Sequence, residues 1–595
     1  MTDQPQTVES EATLELKSGQ VAESPDVITA LAGKMVSTTL RRHRESNRRG
    51  IIDPTFERTH FINPRFQENA LLLALAGTHG VAVPDGMRPS ELLTVAVRVV
   101  DVWLREQERN GAVHSTLEGG SDPMATAWGL YAISRTLALI SNQIPTIMRS
   151  RALKGLKRAA RYLQRAHSLP GPETRPLRAA AVKAAAEYLE SGSLHTVAEH
   201  VKRDGDRLLH EQLQRTLLPN DAGAYAIALA YLTLSTPDPS AEDLDLWRTI
   251  IERCRMSTTP TGIMGGGAEV SIACLPLLTG FGLAAKHIPE ADVQVKLLER
   301  AWASHWYDGL LDTESPWLVP MGYLMLEYRI QRPYKQPEPG LLAFERERLL
   351  AENGSGIWRV GDWLMRLGAG GSLGWMHHLP TESTRVFGSP VGSALREGPW
   401  ILEGTRMRHP ALTGRFQVLE EEALTVEGEL LSTSIPGVQS MPRTTGFAMF
   451  RRRYTRDVIR LTPPQQLHSM RLNNPLPYRR EIELKDGALT IETSVPGRVT
   501  HRLPMIWIGG PYGEMWIGKS KARVGNMLQE RRVRELAFKG GLWPDWVVRF
   551  DRPVDILYEP VNVALASSPM RYLSAACGTV DIMTDDRLHM AWRVG

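Results

Sequence analysis

The sequence predicts an α+β multidomain protein, with an N-terminal α/α toroid of five or six helix pairs followed by a C-terminal antiparallel β-sandwich. Three observations predict it. Apolar helical segments start repeatedly behind an Asn, Asp, Thr, Ser or Gly signal; charged amphipathic segments separate them; and beyond residue 355 the apolar period changes from helical to alternating. The starts fall at Asn63-Pro64, Asp122-Pro123, Thr174, Asp221, Gly267 and Ser315-Pro316, at intervals of 59, 52, 47, 46 and 48 residues. Pairs that bury an apolar inner helix only against their neighbours stack most simply into a closed ring.

Taken in order, residues 1–30 are polar and acidic and read as a flexible tail, and Thr38 to Arg49 is a basic run that reads as solvated. The toroid domain spans 31–335. Leu92, Val95, Val99 and Trp103 recur at helical spacing behind Pro89-Ser90, with charges on the opposite face, as an outer helix requires. The stretch from Pro123 to Ile140 is apolar almost all round and begins with an N-capping Asp122 before proline, so it reads as an inner helix. A linker helix occupies 336–355, centred on Leu341 to Glu352. Strand-like runs then follow through 356–595: Ile357 to Leu367, Leu424 to Ser432, Asp457 to Leu461, Glu481 to Leu484, Leu489 to Thr493, Asp545 to Phe550 and Val580 to Met583. Gly518 to Phe538 is charged and reads as a helical insertion between them.

The chain has 595 residues, 42% hydrophobic and 23% charged, which excludes a largely disordered or collagen-like protein. Seventy basic against 66 acidic residues leave only +4, which argues against nucleic acid as the main partner. No apolar run reaches the ~20 residues that span a bilayer. No basic start with an apolar stretch precedes residue 30, so a cytoplasmic protein is expected. Three cysteines give neither a disulfide framework nor a zinc cluster, and no metal or cofactor is expected. Fifteen tryptophans against eleven phenylalanines suit sugar stacking as well as packing.

The segment Asp308-Gly309-Leu310-Leu311-Asp312-Thr313-Glu314-Ser315-Pro316, ahead of an inner helix, resembles the D-G…E-S-P element of the heparinase II/III-like and hyaluronate-lyase-like polysaccharide lyases. Gly356 to Arg366, followed by Gly371 to His378, resembles the first strands of such a lyase's β-domain. Trp317-Leu318 stands where that family has Tyr-His, and Tyr323 is the next tyrosine downstream. The resemblance implies the toroid-plus-sandwich layout and cleavage of uronic-acid glycosides by metal-independent β-elimination. It also implies that His377 or His378 returns to the toroid's mouth, and that the partner is an acidic oligosaccharide or polysaccharide.

Elimination requires a base for the C5 proton, an acid for the C4 oxygen, and groups that neutralise the neighbouring carboxylate. Loops ahead of the inner helices supply candidates, because helix N-termini favour anions. The catalytic candidates are His114, Tyr225, Tyr307, His377 and His378. The substrate-binding candidates are Glu118, Trp128, Arg135, Asn220, His305, Trp306, Glu314, Trp317, Tyr323 and Trp375. Arg135 sits in the apolar Pro123–Ile140 stretch and needs either an acidic partner or a cavity. Two alternatives stay open: a toroid glycoside hydrolase using a carboxylate pair from Glu118, Asp122, Asp221, Glu269, Asp312 and Glu314, or a non-catalytic carbohydrate-binding or scaffold protein. Gly513 to Ser520 fits the phosphate-loop spacing, but its flanks read as strands and Met515, Trp516 and Ile517 would fill the turn. His195 and His200 are five apart and do not share a helix face as a zinc pair does.

Overall fold

The computed structural model describes residues 26–46, 50–54, 56, 61–81, 87–114, 121–166, 173–214, 222–256, 258, 260, 277–303, 318–332, 349–350, 356–367, 373–380, 383–386, 401–403, 406–410, 415–420, 423–434, 476–485, 488–494, 501–507, 514–521, 528–539, 546–559, 578–584 and 587–594. Among these, six outer helices are α1 (Val27–Glu45), α3 (Pro89–Arg105), α5 (Thr146–Arg165), α7 (Gly192–Gln214), α9 (Ala241–Met256) and α11 (Glu290–Ala303). They alternate with six inner helices: α2 (Asn69–His79), α4 (Pro123–Leu139), α6 (Thr174–Tyr188), α8 (Ala222–Ser235), α10 (Thr279–Ala284) and α12 (Leu318–Gln331). Each inner helix packs on the next, α2 on α4, then α6, α8, α10 and α12, and α12 returns to α2. The ring is therefore closed. Short links such as 189–191 make consecutive helices antiparallel, so the inner helices share one direction and start at one end of the ring.

Burial explains which helix goes where. Every residue of α2 from Asn69 to Gly77 is buried, and α4 is buried from Ala125 to Ser134, so neither has a face to give to water. Outer helices are two-sided: α3 buries Leu92, Val95, Ala96, Val99, Val100 and Trp103 and exposes its charges. The helix starts are fixed locally. The Asp122 carboxylate accepts from Met124 and Ala125 N–H ahead of Pro123, and in α9 Ser240 and Asp243 cap each other reciprocally. Close approach depends on glycine at Gly280, where an added Cβ would lie 2.6 Å from the Ala230 backbone nitrogen.

Beyond the helices the described residues form antiparallel sheets. A five-stranded meander runs through β1 (Leu349–Leu350), β2 (Gly356–Val360), β3 (Trp363–Leu367), β4 (Leu373–His378) and β5 (Ser383–Val386). The second sheet contains β6 (Ile401–Glu403), β7 (Arg406–Pro410), β8 (Arg415–Glu420), β9 (Ala423–Ser434), β10 (Leu476–Lys485), β11 (Ala488–Ser494) and β12 (His501–Trp507). It continues with β13 (Glu514–Ile517), β14 (Ser520–Lys521), β15 (Leu528–Lys539), β16 (Trp546–Glu559), β17 (Gly578–Thr584) and β18 (Arg587–Val594). Its order is β14-β13-β15-β16-β18-β11-β10-β9-β7-β6, and it branches where β17 joins β16 and β8 joins β9. Strand β10 shows the period of two: Tyr478, Arg480, Ile482 and Leu484 are buried while Arg479, Glu481, Glu483 and Lys485 are exposed.

Several expectations need correction. Asp26 caps α1 and the helix runs from Val27, so residues 27–30 are helical where a flexible tail was expected; residues 1–25 lie outside the described residues. The basic run is mostly the last turns of α1, and Thr39, Leu40 and His43 in it are buried and not solvated. Leu349 and Leu350 pair with β2 as a strand where a linker helix was expected; residues 336–348 and 351–355 lie outside the described residues. Ile357 to Leu367 is two strands turning at Gly361, whose φ is +53°. In the charged segment from Gly518, Ser520–Lys521 and Leu528–Lys539 are β14 and β15 where a helical insertion was expected, with Val533, Leu536 and Ala537 buried and paired to β16; residues 522–527 lie outside the described residues. Gly518-Lys519 is the turn of a tight hairpin with Gly518 at φ +59°, with no helix start behind it to hold phosphate. Among the described residues no helix is long and apolar enough to cross a membrane.

Candidate functional site

The ring's interior is not uniformly apolar. In the 3-10 turn Phe66–Glu68 ahead of α2, Arg65 Nε donates to Glu68 Oε1 at 2.5 Å, and both side chains are buried. The Arg65 guanidinium lies over the Trp128 ring of α4, 4.8 Å from its centroid. Trp128 meets the edge of Tyr231 from α8, and the Tyr231 hydroxyl is 3.0 Å from that of Tyr323 on α12. Burial pushes the Glu68 carboxyl up to about 8, Arg65 holds it down against that, and the Asp122 carboxylate pushes it further up. Burial also raises the phenols of Tyr231 and Tyr323 well above their ordinary value, so in this packing both hold their protons and one hydroxyl donates to the other.

A second polar group lies nearer the other end of the inner helices. Glu327 on α12 accepts from Arg135 Nη2 at 2.6 Å and from the Tyr131 hydroxyl at 3.2 Å. Burial works against the Arg135 charge, but Glu327 more than restores it. Each of these two ions interrupts an apolar inner helix, and each is the other's compensation.

His114 sits where the chain enters α4. Val113 N–H donates to Thr126 Oγ1, Asp122 N–H returns to the Val113 carbonyl, and the His114 imidazole pairs through Nε2 with Glu108. Glu108 also accepts from Ser121 at 2.8 Å, so a half-exposed imidazole is held against a carboxylate at the N-terminal end of α4.

The remaining candidates fare differently. Trp128 and Tyr323 are 0% exposed, so Trp128 is covered by Arg65 and Tyr231 and does not present a face to a sugar, and Tyr323 is committed to Tyr231. Tyr225, also 0% exposed, is in the first turns of α8 as core. Arg135 takes the acidic-partner alternative. Asp122, a hydrolase candidate, caps α4. His377 is buried on β4 opposite Leu364 and Thr384, while the neighbouring His378 turns the other way and lies 4.5 Å from the Trp363 ring. Trp375 is on β4 opposite Arg366 and Val386. Glu118, Asn220, His305, Trp306, Tyr307, Glu314, Trp317, Asp221, Glu269 and Asp312 lie outside the described residues. Sequence reasoning missed Arg65, Glu68, Tyr231 and Glu327. The signal for Glu327 was available: a lone acid in an apolar helix, matching the lone Arg135. Among the described residues no His, Cys, Asp and Glu group could hold a metal ion.

A closed six-pair helical ring followed by antiparallel sheets thus defines the architecture, with proton-holding groups at the ring's axis. No protein-family model and no curated protein matches the chain. Solved structures of polysaccharide lyases are similar to it. A heparinase III matches with TM-score 0.43 and 9% identity over 95% of this chain and 83% of that one. The chondroitin AC lyase of Streptomyces coelicolor A3, in complex with chondroitin sulphate, matches with TM-score 0.43 and 10% identity over 97% and 80%. A heparan sulfate lyase from Pedobacter heparinus matches with TM-score 0.27 and 11% identity over 96% and 88%. The superpositions are loose, and the fold rests on the ring and sheets themselves.

Proposed function

We propose that the protein is a carbohydrate-active lyase that cleaves uronic-acid glycosides in acidic oligosaccharides or polysaccharides by β-elimination, acting on imported fragments in the cytoplasm. The observation that carries this reading is the half-exposed His114 imidazole held against Glu108 at the end of the ring where the inner helices start. The helix N-termini gathered at that end favour a substrate carboxylate. His114, oriented by Glu108, is the candidate base for the C5 proton. Tyr307, His377 and His378 remain candidates for base or acid, and Glu118, Asn220, His305, Trp306, Glu314, Trp317 and Trp375 for substrate contacts. The scheme uses side chains alone.

One observation favours a second reading, glycoside hydrolysis. Glu108 and Asp122, both partly exposed, act on the same Tyr162 phenol, so two carboxylates share this end of the ring. Incubation with alginate, heparan, hyaluronan and glucuronan oligosaccharides separates the two. A rise in ultraviolet absorbance from the conjugated double bond, lost in His114→Ala, supports elimination; new reducing ends without that rise support hydrolysis. Neither signal supports a binding or scaffold protein.

A further inference from the structure

Among the six outer helices α5 is unlike the rest. Thr146–Arg165 carries Arg149, Arg151, Lys154, Lys157, Arg158, Arg161 and Arg165 and no acidic residue. The neighbouring α3 sets Glu91 and Asp101 against Arg98 and Arg105, and α7 mixes both signs throughout. Seven positive charges on one helix exceed the +4 of the whole chain, so the remainder is net negative and the positive charge is local. The charges are also in line. Arg151, Lys154, Arg158, Arg161 and Arg165 recur every three or four residues, all exposed, on the face opposite the buried Met148, Ala152, Leu156, Ala159 and Leu163. At 1.5 Å per residue they form a row of about 21 Å with one cation every ~5 Å. Arg151 is paired with Asp101, whereas Lys154, Lys157, Arg158, Arg161 and Arg165 have no ion pair among the described residues.

Direction gives the row its meaning. Helix α5 runs antiparallel to α4 and α6, so Arg165 stands at the end of the ring where α6 and the other inner helices begin, beside the Arg65, Glu68 and His114 end. We propose that the exposed face of α5 is a docking surface for an acidic polysaccharide, holding the chain by its repeated anionic groups along the outside of the ring and leading it toward that end. This partner rests on the function proposed above. An extended polyanion with regularly spaced carboxylates or sulfates complements a straight, evenly spaced cation row. The apolar face of α5 is buried against the ring and only Ile147 and Leu153 stay exposed, Leu153 between Arg151 and Lys154, so the helix has no apolar face to insert into a lipid surface.

The test uses the full chain and the variant Lys154→Gln/Arg158→Gln/Arg161→Gln/Arg165→Gln, all exposed positions outside the proposed reaction site. Binding of end-labelled alginate, hyaluronan and heparan polymers is measured by fluorescence anisotropy against salt, alongside anionic phospholipid vesicles. The expected result is that the variant binds polymer at least about tenfold more weakly, with a log–log salt slope shallower by about 2 to 3, while binding of a uronate tetrasaccharide is unchanged. Unaltered polymer binding by the variant, no polymer binding by the wild type, or α5-dependent binding of vesicles alone each overturns the proposal. Polymer binding that depends on α5 without any elimination supports the surface and counts against the reaction; elimination of polymers with unchanged KM in the variant does the reverse.

Discussion

Raising the pH from 4.5 to 8 should weaken the folded protein through one residue, and Glu68→Gln should remove that weakening. Glu68 is 0% exposed, and burial outweighs Arg65 to carry its carboxyl from 4.5 to about 8. Between those values the folded chain keeps a proton that the unfolded chain has released, so stability falls as pH rises; the contribution is complete below 4.5 and gone above 8. At 1.36 kcal/mol per pH unit the interval corresponds to about 5 kcal/mol. Glutamine has the same shape and keeps an oxygen for the 2.5 Å contact from Arg65, but it has nothing to ionise. Urea unfolding followed by tryptophan fluorescence at half-unit steps from pH 5 to 9 reads the difference. Wild type and variant should agree near pH 5 and diverge steadily, with the variant more stable by several kcal/mol above pH 8. Parallel curves would refute the reasoning, since they would mean that Glu68 is as ionised in the fold as in the unfolded chain across that range.

Three further outcomes follow from the packing. Glu327→Ala should cost about 2 kcal/mol, below the range for a fully buried pair because water reaches Arg135, whereas Arg135→Met/Glu327→Met should cost less than the two single changes together; a thermal double-mutant cycle that is additive would contradict the coupling. Gly280→Ala should destabilise by about 1 to 3 kcal/mol, measured by thermal unfolding, because the added methyl meets the backbone of α8 and not a movable side-chain tip. Tyr323→Phe should cost about 1 to 2 kcal/mol by removing the partner of the buried Tyr231 hydroxyl, and an unchanged midpoint would show that the hydrogen bond contributes nothing.

The helical half was legible because its chemistry is local. An Asp122 before Pro123, or an apolar run as long as α4, states both where a helix starts and that it has no solvent face. The sheets were legible where alternation was clean, as in β10, and misread in β15, where Arg531, Arg532, Arg534 and Lys539 are exposed and the buried Val533, Leu536 and Ala537 fall at helical spacing because the strand's register shifts between Glu530 and Glu535. The site was less legible for a physical reason. Arg65 meets Trp128, Tyr231 meets Tyr323 and Glu327 meets Arg135 only across the ring, and nothing in one helix's sequence states what stands opposite it. Arg135 alone announced a partner, since a charge in an apolar helix demands one.

The return of α12 to α2 makes the first and last inner helices neighbours, and Arg329 of α12 ties that closure to Asp26 and Glu299. The order in which the pairs follow one another is therefore set by connectivity and not by geometry: any gap between pairs is an equivalent place to open the circle. A circular permutant that joins the two ends of the helical region and reopens it at 236–240 would reach the same closed ring. It would do so by a different route, since the final seal would then fall between α8 and α9 and not between α12 and α2.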